Sequence, residues 1–259
     1  MLEVGFTTAY DDLSGRITLI MNDEQKHQIM GANVFFTSNF RVLLSIILIV
    51  FAAKTSGQTL TDFKAPAGFK KVLETHGDLD KDGVEEVAFA YNSTKKDSTG
   101  FKRVLYICKT INGSLKLWKQ NTSVLWNSSD CGFCFENGVT LALKIKNNTL
   151  IVEQTYWHNS RHTSMFRNVF RYQNSDWFLI GSTYNDRYNC GFDHTYDINF
   201  STKNVHIDYD GEDCDDGTPQ FPKSTKNFKY PFKAIPKMDG FIAGKVELKI
   251  PNSKQYFYY

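Results

Sequence analysis

The sequence has no apolar run approaching the roughly 20 residues that a membrane-spanning helix needs. Its most apolar stretch, Val42 to Ala53, is twelve residues long. It has no block of lysine or arginine, and 30 basic against 28 acidic side chains leave a formal charge of +2. That balance argues against a nucleic-acid-binding surface and against a polybasic membrane patch. Helical periodicity is missing outside the apolar stretch. Internal repeats are missing too, which leaves a multi-bladed propeller without its sequence signature. Only six prolines occur, and five of them fall between Pro219 and Tyr259.

What is present is aromatic and alternating. The 21 Phe and 13 Tyr favour strands over helices. "LALKIKNNTLIVEQTY" places Leu141, Leu143 and Ile145 on one face, turns at Asn147-Asn148 and resumes with Leu150 and Val152. "FRNVFRYQNSDWFLIG" puts Phe166, Phe170 and Tyr172 on one face and turns near Asn174-Ser175. "YDINFSTKNVHIDYD" pairs Tyr196, Ile198 and Phe200 with Val205, Ile207 and Tyr209, and "RVLYICK" and "SLKLWK" flank Asn112-Gly113. Period-two alternation broken by Asn, Ser, Asp and Gly is a hairpin signature. The expectation is an all-β, antiparallel fold built from hairpins, as a sandwich or a partial propeller. The proline-containing tail reads as extended segments covering a sheet edge.

The segment from Met30 carries one basic residue, Arg41, then the apolar run, then the small residues Thr55, Ser56 and Gly57. This is the layout of a secretory signal peptide over 30–57, cleaved before Gln58. Residues 1–29 then read as an extension upstream of the true start, and 58–259 as the exported domain. The competing reading is an uncleaved anchor with a small cytoplasmic head. The expected location is secreted or periplasmic, with no stable membrane span after cleavage.

The stretch with the clearest chemistry is "HGDLDKDGVEEVAFAY", His76 to Tyr91. Asp78, Asp80 and Asp82 alternate, Gly83 permits a sharp turn, and an apolar strand follows. A hard cation such as Ca2+ takes several oxygen ligands from such a loop. Asp78, Asp80, Asp82 and Glu86 would supply carboxylates, and Val84 its carbonyl. A helix-loop-helix calcium hand would need a bidentate Glu at the position held by Phe89, so the flanking element is a strand. The alternative is a solvated, Asx-rich turn without metal. A second acidic run, Asp208 to Gly217, has its glycines out of register and reads as a hairpin end.

"GDLDKDGVEEVAFAY" resembles the calcium loop of FG-GAP or VCBS-type repeats. More loosely, the chain is similar to single-copy exported bacterial proteins of the Bacteroidetes type, with strands such as "FRYQNSDWFLIG", Phe170 to Gly181. The resemblance implies a structural calcium loop at a β-hairpin. The expected partner is an unknown protein or glycan at the cell envelope, and, on the charge balance, no nucleic acid. The single copy departs from the propeller families.

Five cysteines in an exported chain point to disulfides. "CGFC", Cys131 to Cys134, is one CxxC pair. With only one such pair, disulfides are favoured over a four-cysteine zinc site completed by Cys190 and Cys214. Cys108 alternates with apolar residues and reads as a buried thiol. "WHNSRHTS" brings His158, Arg161 and His162 together with no nucleophile motif attached. A hydrolase or sugar-binding site using these with Trp126 and Trp157 is the rival to a non-catalytic module. Asn92, Asn112, Asn121, Asn127, Asn147 and Asn199 each open an N-x-Ser/Thr triplet, which reads as glycan acceptors or as ordinary Asn- and Ser-rich composition.

Overall fold

The computed structural model describes residues 60–134, 140–211 and 223–259. The 1–29 and 30–57 segments, Cys214 and most of the second acidic run lie outside them. Among the described residues there is no helix, and so none long and apolar enough to cross a membrane. The expected all-β, antiparallel fold is what the chain adopts.

A four-stranded meander runs β1 (Lys70–Gly77), β2 (Glu86–Asp97), β3 (Gly100–Ile111), β4 (Ser114–Asn121). A seven-stranded meander follows: β5 (Leu141–Lys146), β6 (Thr149–Trp157), β7 (His162–Gln173), β8 (Asp176–Tyr188), β9 (Phe192–Asn199), β10 (Asn204–Gly211) and β11 (Ser224–Lys229). A short hairpin, β12 (Glu247–Lys249) with β13 (Tyr256–Tyr258), completes the set. Neither large sheet closes into a barrel, and the arrangement is sandwich-like.

The hairpin turns follow from the residues at them. Asn147 and Asn148 have φ of 52° and 56°, and Asn174 and Ser175 have 50° and 61°. Two consecutive left-handed residues match the right-handed twist of flanking strands, and Asn tolerates that conformation best among residues with a side chain.

Alternation then sorts the faces. In β2, Ala88 and Ala90 join Leu105 and Ile107 in a core that also takes Leu150, Val152, Phe170 and Ile198 from the second sheet. The other face of β2 and β3, with Phe89, Tyr91 and Tyr106, is covered by Phe63 and Phe69. Residues 61–63 also pair with β4, through Phe63 N–H to Leu115 O at 2.9 Å and Leu117 N–H to Thr61 O at 2.8 Å.

The tail does more than cover an edge. Leu179 N–H donates to Pro236 O and Met238 N–H to Trp177 O, so the tail pairs with β8 beyond the end of β9. It also sends Phe232, Met238, Phe241 and Phe257 into the main core.

Cys131 and Cys134 form a disulfide with Cα atoms 5.4 Å apart, and Cys190 is disulfide-bonded as well. Cys108 is a fully buried free thiol whose pKa burial pushes up to about 12. Among the sequon asparagines, Asn121 is buried and its amide donates to Met238 O and Asp239 Oδ1. It is closed to a glycan in the folded state.

Candidate functional site

The acidic loop joins β1 to β2 at one end of the four-stranded sheet, where Gly77 pairs with Glu86. Leu79, 1% exposed, anchors it in the core. Asp78 organises the turn: its Oδ1 accepts Lys81 N–H at 2.6 Å and its Oδ2 accepts Gly83 N–H at 3.2 Å. Lys81 and Gly83 both have positive φ, 70° and 82°. From the second sheet, Asn148 Nδ2 donates to Asp78 O at 2.9 Å.

Glu86 is 1% exposed, because it lies on the same side of β2 as Ala88 and Ala90. Its Oε2 accepts Leu79 N–H at 2.7 Å. Burial raises its pKa from the ordinary 4.5 to about 7; the Leu79 hydrogen bond opposes the shift, as does Lys109, and Asp80 adds to it.

Asp78, Asp80 and Glu86 bring one carboxylate oxygen each within 4.8 Å of one another. Lys109 hydrogen-bonds Asp80, stands 4.0 Å from Glu86 Oε1, and rests 4.3 Å from the Trp118 ring centroid. With all three carboxylates ionised, as a bound cation would hold them, the one ammonium leaves two negative charges, the charge of one divalent ion. Asp80 Oδ1 is buried with no hydrogen-bond partner. A buried carboxylate oxygen without a donor is costly unless something cationic satisfies it. The donor set is entirely oxygen and anionic, which suits a hard cation of the calcium class and offers nothing to a soft one.

Of the five expected ligands, three converge. Asp82 instead accepts Val84 N–H through Oδ1 at 2.8 Å, and Val84 is exposed. Lys109 was not singled out from the sequence. The β2–β3 register supplies it, since Val87 faces Cys108 and the next residue outward on each strand is Glu86 and Lys109.

The histidines form a second cluster at the far end of β6–β8. Asn159 closes the β6–β7 turn by accepting Arg161 and His162 N–H through Oδ1 at 2.8 and 2.9 Å. This brings the His158 and His162 rings into a stack, 4.1 Å between centroids. Ser164 on β7 lies directly opposite Asp186 on β8. His158 Nε2 is 2.8 Å from Ser164 Oγ, Ser164 Oγ donates to Asp186 Oδ1 at 2.8 Å, and His162 Nε2 is 2.8 Å from the same oxygen.

An ionised Asp186 only accepts, so the single hydroxyl proton of Ser164 goes to it and His158 must donate to Ser164. A nucleophilic serine needs the reverse, with histidine accepting its proton. Burial, and then His162, lower the His158 pKa, while Asp186 opposes them. His158, Ser164 and Tyr184 line an open cleft of about 290 Å³, with Trp126 and Tyr156 also on its walls. Arg161 stays out of this network through its side chain. Asp208 of the second acidic run sits in β10, hydrogen-bonded to His206 and Thr225.

No family model, curated protein or solved structure matches the chain.

Proposed function

We propose that the chain is an exported, non-catalytic binding module whose acidic β1–β2 loop holds one calcium ion as a structural element. The observation that carries this reading is the convergence of Asp78, Asp80 and Glu86 around a buried, unpartnered Asp80 oxygen. Asp78, Asp80 and Glu86 would hold the ion directly, and Asp82 and Val84 would complete the shell if the Asx turn at Asp82 opens. The ion supplies positive charge where three carboxylates crowd, and so fixes the loop and the first residues of β2.

Disulfide bonding at Cys131, Cys134 and Cys190 favours an oxidising, extracytoplasmic setting. The signal-like 30–57 segment points the same way. The likeness of the loop to FG-GAP and VCBS repeats supports calcium rather than magnesium. Calcium tolerates such flexible, all-protein oxygen cages, whereas magnesium keeps several waters. The partner on this reading is a protein or glycan at the cell envelope, and the aromatic cleft beside His158 is the concave surface suited to it.

The test is thermal unfolding in excess calcium and in excess EDTA. Calcium raises the melting temperature of the wild type and leaves Asp80→Asn unmoved. Equal melting temperatures in both buffers would overturn the proposal.

A further inference from the structure

The geometry points to a second metal site, for a divalent transition ion of the zinc class, formed by His158, His162 and Asp186 at the mouth of the aromatic cleft. It stands independently of the calcium reading and differs from it in ligand chemistry. The acidic loop offers only oxygen, whereas this cluster offers two imidazole nitrogens and one carboxylate, the donor set that suits zinc, cobalt or nickel over calcium.

Three observations carry the inference. The first is distance: one donor atom from each of the three residues lies within 4.8 Å of the others. Four-coordinate zinc with bonds of about 2.0–2.2 Å spaces its ligands roughly 3.3 Å apart. His162 Nε2 and Asp186 Oδ1, now 2.8 Å apart, need open by only about half an ångström to reach that spacing.

The second is the stacked pair of rings, 19° from parallel. The Asn159 turn fixes this pairing through the backbone, so His158 and His162 are held together whether or not a metal is present.

The third is access. His158 and Ser164 are at once members of the cluster and walls of the cleft. Of the three ligands only His158 lines the cleft, so water or an exchangeable fourth ligand, as an open zinc site keeps, would enter on the His158 side. Ser164 Oγ lies between His158 Nε2 and Asp186 Oδ1, 2.8 Å from each, so a metal entering here replaces the hydrogen bonds of that hydroxyl.

Cobalt(II) is the probe, added to the full-length protein with calcium in excess so that the oxygen site is filled. We expect one equivalent to bind, with the intense visible d–d bands of a four-coordinate ion, and zinc to displace it. His158→Ala and His162→Ala each lose that spectrum while keeping the wild-type circular dichroism, with a melting temperature in EDTA lowered no more than Ser164→Ala lowers it. His206→Ala, which alters a separate histidine–aspartate pair, retains it. A spectrum that persists in both the His158 and His162 variants, or no stoichiometric cobalt binding in the folded wild type, would overturn the assignment. Because calcium-dependent melting is read separately, either metal site can fail without the other.

Discussion

The acidic loop and the histidine cluster are both groups of titratable side chains at the ends of strands, but their electrostatics are opposite. In the loop, three carboxylates face one ammonium, and Asp80 Oδ1 is left without a donor. In the cluster, a single carboxylate accepts from a serine and a histidine, and the serine in turn accepts from the second histidine. The first is short of positive charge; the second is already a satisfied hydrogen-bond chain. A metal at the loop therefore acts on the stability of the whole domain. One at the cluster replaces existing hydrogen bonds and has little to add to stability.

Substitutions that separate the two regions differ in expected size. Leu79→Ala removes the core anchor of the loop and loses about 2–5 kcal/mol in urea unfolding, the range for a buried leucine. A comparable loss from His162→Ala, whose side chain is a quarter exposed, would erase the contrast.

The next effect is pH dependence. Below about pH 4.5 Glu86 is protonated folded or unfolded, and contributes nothing. As pH rises from 4.5 towards 7 the unfolded chain ionises first. Metal-free stability therefore falls across that window, by up to about 3 kcal/mol for a shift of this size. Glu86→Gln flattens the decline in chemical denaturation at a series of pH values. Saturating calcium flattens it as well, because the ion favours the ionised carboxylate.

The proposed calcium ion has a smaller expected effect. With a dissociation constant of roughly 0.1–1 mM, typical of extracellular modules, about 10 mM calcium stabilises the fold by about 1.4–2.7 kcal/mol. Lys109→Met sharpens the comparison: the metal-free protein loses stability and the gap between calcium and EDTA widens, because an opposing charge has gone from the site. At the cluster, Ser164→Ala costs about 1–2 kcal/mol through lost hydrogen bonds, with no dependence on calcium. Smallest of all, Asp82→Asn keeps the acceptor for Val84 N–H and shifts metal-free stability within about 0.5 kcal/mol. Weaker calcium binding in that variant would place Asp82 in the ion's shell.

The same two regions show which parts of the molecule the residues reveal by themselves. The loop is local: the nine consecutive positions 78–86 carry its candidate ligands and its turn glycine and run straight into β2, so its chemistry is readable in order. The hairpins are local in the same sense, and Asn147-Asn148, Asn174-Ser175 and Asn112-Gly113 all turn where their residue types require. The cluster is not local. Carrying the two-residue turn at Asn174-Ser175 straight up β7 and β8 would set Ser164 against Asn185. An extra residue, Ile180, enters between the pairs Phe170↔Leu179 and Val169↔Gly181, and sets Ser164 against Asp186 instead. A one-residue bulge leaves little trace in an alternating sequence, yet it decides which side chain faces the histidines. Lys109 was hidden for a related reason: its role depends on the β2–β3 register. The burial of the tail's Phe232, Met238 and Phe257 depends on a route over β8 that no periodicity encodes.

The most direct test of the account is the anomalous difference density of a crystal grown in calcium and measured at long wavelength. Beyond the peaks of the cysteine and methionine sulfurs, it predicts one peak at the β1–β2 loop, bounded by Asp78, Asp80 and Glu86, with Lys109 drawn away from Asp80. No peak there, with the Lys109 ammonium still hydrogen-bonded to Asp80, would show that the lysine is the resident cation and that the loop carries no metal.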